Sequence, residues 1–253
     1  MIPALDHLQV IPVESLILHE AHDESRLETL RGRVTTEKVQ RNPVIVTAWN
    51  ENFLLLDGAH RALTMSGIGC RFILAQKITP PKTVESWTHL LVEPNLESLD
   101  KSENLISTTE PGNDWLAVIE DSDGEKTYLR ARSPGFACEV RALWDLQSVY
   151  PNKPPVRRLD SGVESRLEPG EVRLYYRRFT VEELVEVVRD GSVLPASITR
   201  FRVPERVLNV RFPLDSLADG DLAARNAELR EIVERQWSAN RVRRYDEPVV
   251  LFE

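Results

Sequence analysis

The first half of the chain alternates between short aliphatic runs and stretches with helical spacing of apolar residues. Short runs rich in Val, Ile and Leu are typical of buried strands, whereas apolar residues three and four positions apart indicate an amphipathic helix. This pattern predicts strands at residues 8–13, 43–49, 53–56 and 71–78, and a short extended piece at 16–19. It predicts helices at 25–34, after Gly58, and at 84–91.

The second half mixes the same two patterns after a polar, turn-rich stretch at residues 93–114. Here the periodicity predicts strands at 115–120, 126–131, 172–178, 207–212 and 248–252, and helices at 136–149, 181–189 and about 218–239. Helices and strands intermixed along the whole chain favour an α+β fold. The polar stretch is the predicted domain boundary, with one domain at residues 1–92 and a second at 93–253.

Composition and charge narrow the classes of protein that the chain represents. Among its 253 residues, 42% are hydrophobic and 28% are charged, as in ordinary globular proteins, and the net charge is −8. The negative net charge argues against a nucleic-acid partner, because phosphate binding needs a basic surface. The basic cluster at residues 241–244 is too short to provide one. The start of the chain lacks a signal-peptide pattern, and no apolar run approaches the ~20 residues of a membrane span. Cys70 and Cys138 have neither disulfide-framework nor CxxC spacing, so we expect a cytoplasmic protein without a membrane partner.

The segment at residues 54–63 has the strongest functional pattern. An apolar run ends in Asp57-Gly58, and a helix-forming stretch with His60 and Arg61 in its first turn follows at once. A strand, a tight glycine turn and a helix N-terminus present free backbone N–H groups and a positive dipole end to an anion. With the Asp57 carboxylate beside them, these groups suit a metal–polyphosphate. In the alternative interpretation, Asp57 caps the helix and Arg61 is simply solvated.

Glu20 is a candidate general base. It lies on a predicted loop between His19 and His22, where a carboxylate with polar neighbours either abstracts a proton or merely faces solvent. The chain has no Walker-type GxxxxGK[ST], no GxGxxG and no HExxH pattern. Phosphoryl transfer by this protein would therefore not use a common NTPase scaffold.

Two further places carry groups suited to binding a small molecule. Trp87 and His89 fall on the predicted helix at 84–91 and form either one wall of a pocket or ordinary packing. Thr199 and Arg200 place a hydroxyl beside a guanidinium fork that suits a carboxylate or phosphate, although a solvated strand explains them equally.

Three segments resemble the ParB/sulfiredoxin-like nucleotide-binding superfamily: residues 10–16, 42–46 and 56–61. Within that superfamily, the DG-x-HR form, the glutamate on the preceding loop and the later W-x-H are similar to the free L-serine kinases, including members associated with siderophore biosynthesis. Residues 193–200 and 207–210 resemble the C-terminal half of the same kinases. The resemblance implies a ParB/sulfiredoxin-like N-terminal domain and a mixed α/β C-terminal domain that completes the substrate site. It covers nearly the whole chain, but residues 93–170 carry no matching motif.

The resemblance also implies an activity and a role for each motif. Free serine kinases transfer a phosphoryl group from an adenine nucleotide, ATP or ADP, with Mg²⁺, to free L-serine and form O-phospho-L-serine. Carried over, Glu20 is the general base, and Asp57 holds the metal or orients the hydroxyl. The implied phosphate ligands are Gly58, Ala59, His60 and Arg61. The implied amino-acid site is bordered by Trp87 and His89, and its carboxylate ligands are Thr199 and Arg200.

One departure from the family pattern concerns the acceptor. The residue after Thr199-Arg200 is commonly histidine in these kinases, whereas it is Phe201 here, so an acceptor other than serine stays open. The GE-x-R box and DNA-binding helices of ParB itself are missing, and Cys70 lies beyond the helix rather than beside the phosphate turn, unlike the cysteine of sulfiredoxin. The alternatives are a ParB-like nucleotide-dependent regulator that binds DNA and a nucleotide-binding module without transfer activity.

Overall fold

The computed structural model describes residues 3–22, 24–79, 82–151, 156–159 and 166–245. Its strands, in chain order, are β1 Leu8–Pro12, β2 Leu16–Ile17, β3 Val39–Gln40, β4 Val44–Trp49, β5 Asn52–Asp57, β6 Phe72–Lys77, β7 Thr83–Ser86, β8 Thr88–Val92, β9 Leu105–Thr108, β10 Ala117–Glu120, β11 Lys126–Ala131, β12 Arg157–Leu159, β13 Glu171–Tyr176, β14 Phe179–Thr180, β15 Thr199–Arg200 and β16 Phe212–Pro213. Its helices are α1 Pro3–Asp6, α2 Glu24–Glu37, α3 Ala59–Gly67, α4 Phe136–Asp145, α5 Val181–Arg189, α6 Leu214–Ala218 and α7 Leu222–Ser238. Within these ranges, no helix has both the length and the apolar character to cross a bilayer.

The chain divides into two compact units, each assembled from separate stretches. Unit 1 comprises residues 1–16, 25–78 and 204–253, and unit 2 comprises 17–24 and 79–203. The sequence analysis instead places one boundary between residues 92 and 93. The last fifty residues belong to unit 1 because α7 packs on β1. There the Asn226 side-chain amide accepts from the Val10 N–H and donates to the Val10 carbonyl, both at 2.9 Å.

Unit 1 is built on a mixed five-stranded sheet in the order β1-β6-β4-β5-β2. Strands β1 and β6 are antiparallel, as are β4 and β5, whereas β4 and β6 run parallel. The aliphatic runs that predicted these strands form the buried centre of the sheet, where Val44, Val46 and Ile73 are fully buried. The predicted strands at 8–13, 43–49, 53–56 and 71–78 and the helix after Gly58 are confirmed to within one or two residues. This sheet therefore supports the turn that leads from β5 into α3.

A buried glutamine stabilises unit 1 beside β6. The Gln40 side chain donates from Nε2 to the Leu74 carbonyl and accepts from the Leu74 N–H, both at 2.8 Å. Gln40 is 2% exposed, so water does not replace these bonds. Replacing Gln40 with alanine leaves a buried donor and a buried acceptor unsatisfied, and we expect a loss of about 2–4 kcal/mol in the free energy of unfolding. Urea denaturation measures it, with the exposed Glu234→Ala on α7 as a control that changes stability by less than about 0.5 kcal/mol. Equal midpoints for the two variants would contradict the role of Gln40.

Unit 2 is built on a six-stranded sheet in the order β12-β8-β13-β10-β11-β9, in which all neighbours are antiparallel. A smaller sheet in the order β14-β7-β15 lies in the same unit. The core of unit 2 contains one face of α4 and the 3₁₀ turn Leu146–Val149, with Leu143 and Leu146 fully buried. Helix α5 is confirmed at its predicted bounds, with a capping box in which Thr180 and Glu183 bond each other's backbone N–H.

The helix predicted at 84–91 is wrong. This stretch forms β7 and β8, and Trp87 lies between them. Strand β8 is central in its sheet, with β12 on one side and β13 on the other, so Thr88, His89, Leu90 and Leu91 are all buried. A continuous buried run has no polar face to reveal a period of two, and over eight residues periodicity alone does not separate a strand from a helix. Strand pairing across long sequence separations decides the structure here.

The strand predicted at 207–212 is also wrong, apart from its last residue, and the one predicted at 248–252 lies outside the described residues. Two residues of the 207–212 segment, Asn209 and Arg211, adopt positive φ angles of 58° and 59°, which interrupt an extended ladder. Side-chain oxygens of Gln76 and Asn42 accept from backbone N–H groups of this segment in place of a neighbouring strand. The segment is thus a loop fixed to unit 1 by amide side chains.

Candidate functional site

In unit 1, the corner between β5 and α3 leaves the N-terminus of α3 open. Gly58 is the N-cap residue, with φ 105° and ψ 30°, and as a glycine it provides no capping side chain. The first helical hydrogen bond runs from the Ala62 N–H to the Gly58 carbonyl at 2.9 Å. The N–H groups of Ala59 and Arg61 therefore lie ahead of the first helical hydrogen bond, at the positive end of the helix. This is the geometry in which proteins bind phosphate groups.

The Arg61 side chain folds back over this corner. A Cβ atom added to Gly58 would lie 2.8 Å from Arg61 Nη2 and 2.9 Å from Val44 Cγ1, so the close approach requires glycine. Within the described part of the chain, the buried Arg61 Nε has no hydrogen-bond partner. A buried donor without an acceptor is costly in a folded protein, which makes this corner a suitable place for an anionic ligand.

Asp57 binds two arginines of unit 1. Its carboxylate lies 3.4 Å from Arg61 Nη2 and also contacts Arg206, which is 149 residues away in sequence. Burial alone would raise the pKa of Asp57, but the charges of Arg61 and Arg206 outweigh it and lower the pKa below the ordinary value. Asp57 is thus ionised at neutral pH, and the two guanidinium groups exceed its single negative charge.

The sequence analysis did not identify Arg206 as a functional residue. It belongs to the loop that Gln76 holds, since Gln76 Nε2 donates to the Glu205 carbonyl at 2.7 Å and its Oε1 accepts from the Val207 N–H at 3.0 Å. No local pattern in the sequence marks this arginine, because its position depends on a buried amide on β6. The contact between Arg206 and Asp57 is therefore visible only in the tertiary structure.

In unit 2, the Glu20 carboxylate is held by backbone N–H groups of the segment that leads into β15. Its Oε2 accepts from the Ser197 N–H at 3.1 Å, and its Oε1 accepts from the Thr199 N–H at 2.5 Å. An isolated bridge between Glu20 and Leu194 aligns the two segments. The bonds join residues 177 and 179 positions apart in sequence, so the predicted loop of Glu20 is in fact anchored.

Burial dominates the electrostatics of Glu20. It raises the pKa of the carboxyl, while hydrogen bonds from the Thr199 side chain and from the backbone of Thr199, Ser197 and Ile198 lower it, with a net pKa of about 7. The side chain keeps part of its surface open to solvent. A carboxyl with its pKa near neutrality exchanges protons readily at physiological pH, as a general base must.

Thr199 lies between Glu20 and His19. Its Oγ1 is 2.9 Å from His19 Nε2, and its hydroxyl also bonds the Glu20 carboxylate. Because a carboxylate only accepts, the hydroxyl donates to Glu20 and accepts from His19 Nε2–H. Phe201 packs its ring edge-to-face against His19, with centroids 5.7 Å apart. The structure thus places Thr199 against Glu20 and Phe201 against His19, and both residues are buried.

His89 is buried rather than open to a ligand. It is 2% exposed, with Nδ1 2.6 Å from the Tyr150 hydroxyl and Nε2 2.8 Å from the Ser197 carbonyl. Burial, the largest effect, lowers the pKa of His89 to about 4, so its ring is neutral at physiological pH. Both ring nitrogens are occupied by protein groups.

Trp87, by contrast, is half-buried and flanked by two arginines. The Arg200 guanidinium carbon lies 4.5 Å from the ring centroid of Trp87, and that of Arg158 lies 5.7 Å from it. Arg158 Nη1 is also 3.5 Å from Ser197 Oγ. Sequence reasoning missed Arg158, because it lies in a segment that carries no recognisable motif. Two guanidinium groups on one aromatic ring suit a small carboxylate.

The sequence-predicted residues therefore fall into two groups, one in each unit. Unit 1 holds Asp57, Gly58, Ala59, His60 and Arg61, and unit 2 holds Glu20, Trp87, His89, Thr199 and Arg200. Within the residues that the structure describes, no group of three or more His, Cys, Asp or Glu side chains is arranged to hold a metal ion.

Comparison with known proteins identifies chains that are similar over most of their length. No protein-family model matches the chain. It is 26% identical over 252 residues to the ATP-dependent L-serine kinase SbnI of Staphylococcus aureus (strain NCTC 8325 / PS 47), with 98% of each chain covered. The structure of SbnI with a C-terminal truncation from Staphylococcus aureus has a TM-score of 0.81 at 23% identity, covering 94% of this chain and 100% of that one. A free serine kinase in complex with AMP has a TM-score of 0.64 at 16% identity, covering 83% and 93%. The chain shares the mixed α/β fold of these proteins.

Proposed function

We propose that this protein is a free L-serine kinase, which transfers a phosphoryl group from an adenine nucleotide to the serine hydroxyl. The observation that carries the proposal is the Glu20 carboxyl, which is held by N–H groups and has a pKa of about 7. The similarity along the whole chain to a protein named as an ATP-dependent L-serine kinase supports it. The AMP and ADP complexes of structurally similar free serine kinases agree with an adenine nucleotide.

In the proposed reaction, Glu20 is the general base. Its carboxylate takes the proton of the serine hydroxyl as the hydroxyl oxygen forms a bond to the terminal phosphorus of the nucleotide. The bond from that phosphorus to the bridging oxygen breaks, and the shortened nucleotide leaves with the electron pair. Phosphoryl transfer depends mainly on positioning and on neutralisation of charge, so the remaining residues bind rather than react.

We assign the amino-acid site to the Trp87 region of unit 2. Arg200 and Arg158 flank the ring of Trp87, and their guanidinium forks match the serine carboxylate. Thr199, whose hydroxyl bonds Glu20, would orient the base at the edge of this site. His89 borders it from the buried side.

We assign nucleotide binding to unit 1, which contains the segments at residues 10–16, 42–46 and 56–61 that resemble the ParB/sulfiredoxin-like superfamily. The first turn of α3 after Gly58 and the guanidinium of Arg61 would hold the phosphates, and Arg206 would add a second cation. The unsatisfied Arg61 Nε supports an anion at this corner, where Gly58 lets the Arg61 side chain approach the turn closely. Unit 2, in turn, would provide the substrate-binding half.

Magnesium fits this corner as an ion that arrives with the nucleotide. Asp57 offers one ionised carboxylate, and Mg²⁺ in phosphoryl-transfer sites is commonly held by one or two carboxylates together with substrate phosphates and water. When bound, the ion would neutralise charge on the phosphates. The competing arginines at Asp57 imply that the phosphates, rather than the protein, supply most of its ligands.

Incubation of the protein with ATP or ADP, Mg²⁺ and a panel of hydroxyl amino acids tests the proposed function directly. We expect O-phospho-L-serine, detected by ³¹P NMR and mass spectrometry, in the presence of L-serine. If only a different amino acid is phosphorylated, the reaction class stands but serine is not the acceptor. This outcome is open because Phe201 stands where free serine kinases commonly have histidine. Nucleotide binding by calorimetry without any phosphorylated product would favour the nucleotide-binding module.

Replacing Arg206 with alanine tests the second cation of the nucleotide site. We expect the Kd for the nucleotide to rise about tenfold, which is the effect of one lost charged hydrogen bond at a half-exposed position. Isothermal titration calorimetry measures the change. Arg244→Ala is a matched control, since Arg244 contacts the neighbouring Glu205 at 3.0 Å rather than Asp57. An affinity in Arg206→Ala equal to that of the control would remove Arg206 from the site.

A further inference from the structure

A buried chain of hydrogen bonds in unit 2 ends at the backbone that holds Glu20. Tyr176 bonds the Tyr150 hydroxyl, Tyr150 bonds His89 Nδ1, and His89 Nε2 bonds the Ser197 carbonyl. A carbonyl only accepts, so Nε2 carries the proton of the neutral imidazole and Nδ1 accepts from the Tyr150 hydroxyl. Tyr150 must then accept from Tyr176. The Ser197 carbonyl at one end thus determines the direction of every bond.

The hydrogen bonds from Tyr176 through Tyr150 and His89 end at the backbone of Ser197. Its φ angle is 65°, a left-handed conformation that is uncommon for any residue other than glycine. Its carbonyl accepts from His89 and its N–H donates to the Glu20 carboxylate. Both sides of one strained residue are therefore bonded, one by the buried chain and one by the carboxylate. Strained backbone of this kind persists only where surrounding contacts hold it.

We propose that His89, supported by Tyr150 and Tyr176, is a positioning residue for Glu20: it holds Ser197 in the left-handed conformation and so keeps the Ser197 N–H on the carboxylate. The inference rests on the proposed function in assigning Glu20 the role of general base. The three side chains act on Glu20 through the backbone of Ser197. Their bonds fix where the base stands and how readily it takes a proton.

Other titratable and charged groups lie near Glu20 or near the residues that hold it. His19 faces it through Thr199, Tyr176 interacts with its charge, and Arg158 lies beside Ser197 and His89. Burial raises the pKa values of Tyr150 and Tyr176, so both tyrosines stay protonated at neutral pH and act only as hydrogen-bond dipoles. A substitution of Tyr150 by phenylalanine therefore changes the hydrogen bonding of the chain without changing its charge.

Tyr150→Phe removes the donor to His89 and allows the imidazole to leave the Ser197 carbonyl. The Ser197 N–H then no longer lowers the pKa of Glu20, so we expect the pH at half-maximal kcat/KM to rise by up to about one unit. We expect kcat to fall about tenfold with a nearly constant KM for serine, because the base is misplaced while the carboxylate-binding groups stay. Tyr128→Phe is a matched control. Tyr128 lies on β11 and pairs with Val118 of β10, in the six-stranded sheet that also contains His89 and Tyr176.

A second measurement keeps the inference independent of catalysis. In protein labelled with ¹³C at glutamate carboxyls, the Glu20 signal, assigned by its loss in Glu20→Gln, reports its pKa without substrate. We expect a higher pKa in Tyr150→Phe and an unchanged one in Tyr128→Phe, with circular dichroism confirming that both variants fold. An unchanged Glu20 titration in folded Tyr150→Phe overturns the positioning role. Absence of serine phosphorylation in the unsubstituted protein would instead overturn the proposed function, and the titration would still decide the positioning.

Discussion

Replacing Glu20 with glutamine is expected to lower kcat for phosphoserine formation by about 10²- to 10⁴-fold and to leave the nucleotide Kd within about twofold. Glutamine keeps the shape of the side chain but cannot accept the hydroxyl proton. Nucleotide affinity is retained because the proposed phosphate ligands belong to unit 1. Single-turnover kinetics measure the first quantity and calorimetry the second. Turnover at the unsubstituted rate would remove Glu20 from the proposed role.

Glu20→Gln should also change the pH dependence of kcat/KM. Because the pKa of Glu20 is about 7, kcat/KM of the unsubstituted protein should rise with pH and level off above that value. The residual activity of Glu20→Gln should lack this inflection. Glu125→Gln, in an exposed turn of the same unit, is the matched control and should keep the full profile. An inflection that survives in Glu20→Gln belongs to another group.

The pH dependence of the free energy of unfolding should report the raised pKa of Glu20 in the absence of substrate. Burial raises the pKa of Glu20 from 4.5 to about 7, so between these values the folded state holds a proton that the unfolded state releases. The free energy of unfolding should therefore fall as the pH rises through this window, by about 2 kcal/mol once its partial contact with solvent is allowed for. In Glu20→Gln this part of the slope should disappear. Equal slopes of stability against pH in the two proteins would contradict the raised pKa.

The second large effect is expected at Arg61. Replacing it with alanine should raise the nucleotide Kd about 10- to 100-fold, since it removes a partly buried cation and its donors from the open helix N-terminus. Calorimetry with ATP and with ADP measures the change. Arg41→Ala is a matched control, because Arg41 also forms an i,i+4 pair, with Glu37 at 2.8 Å in the same unit, but lies away from the glycine corner. Equal affinity in the two variants would leave the corner without a phosphate-binding role.

Together, the two substitutions separate binding from chemistry. Glu20→Gln should retain nucleotide affinity and lose turnover, whereas Arg61→Ala should lose affinity and recover part of its turnover at high nucleotide concentration. Loss of both properties in both variants would indicate a general effect on folding, which thermal unfolding detects.

The sequence alone determined the local features of unit 1. Aliphatic runs interrupted by polar turns defined β4, β5 and β6, and Asp57-Gly58 before a helix-forming stretch defined the open N-terminus of α3. These features are predictable because they depend on neighbours a few residues apart: side-chain periodicity, the clearance at glycine and helix end effects. The resemblance to free serine kinases added roles that these patterns did not contain.

Only the tertiary structure decided the surroundings of the charged groups. The pKa of Glu20 follows from burial and from N–H groups 177 and 179 residues away, and Asp57 meets Arg206 through a loop held by Gln76. His89 was expected on a helix and lies instead in a central strand, with both ring nitrogens bonded. Solvent exclusion and strand pairing both depend on segments far apart in the chain, so no local pattern contains them. The sequence thus determined which groups the protein carries and the shape of one corner, while the fold decided what each group contacts and how readily it holds a proton.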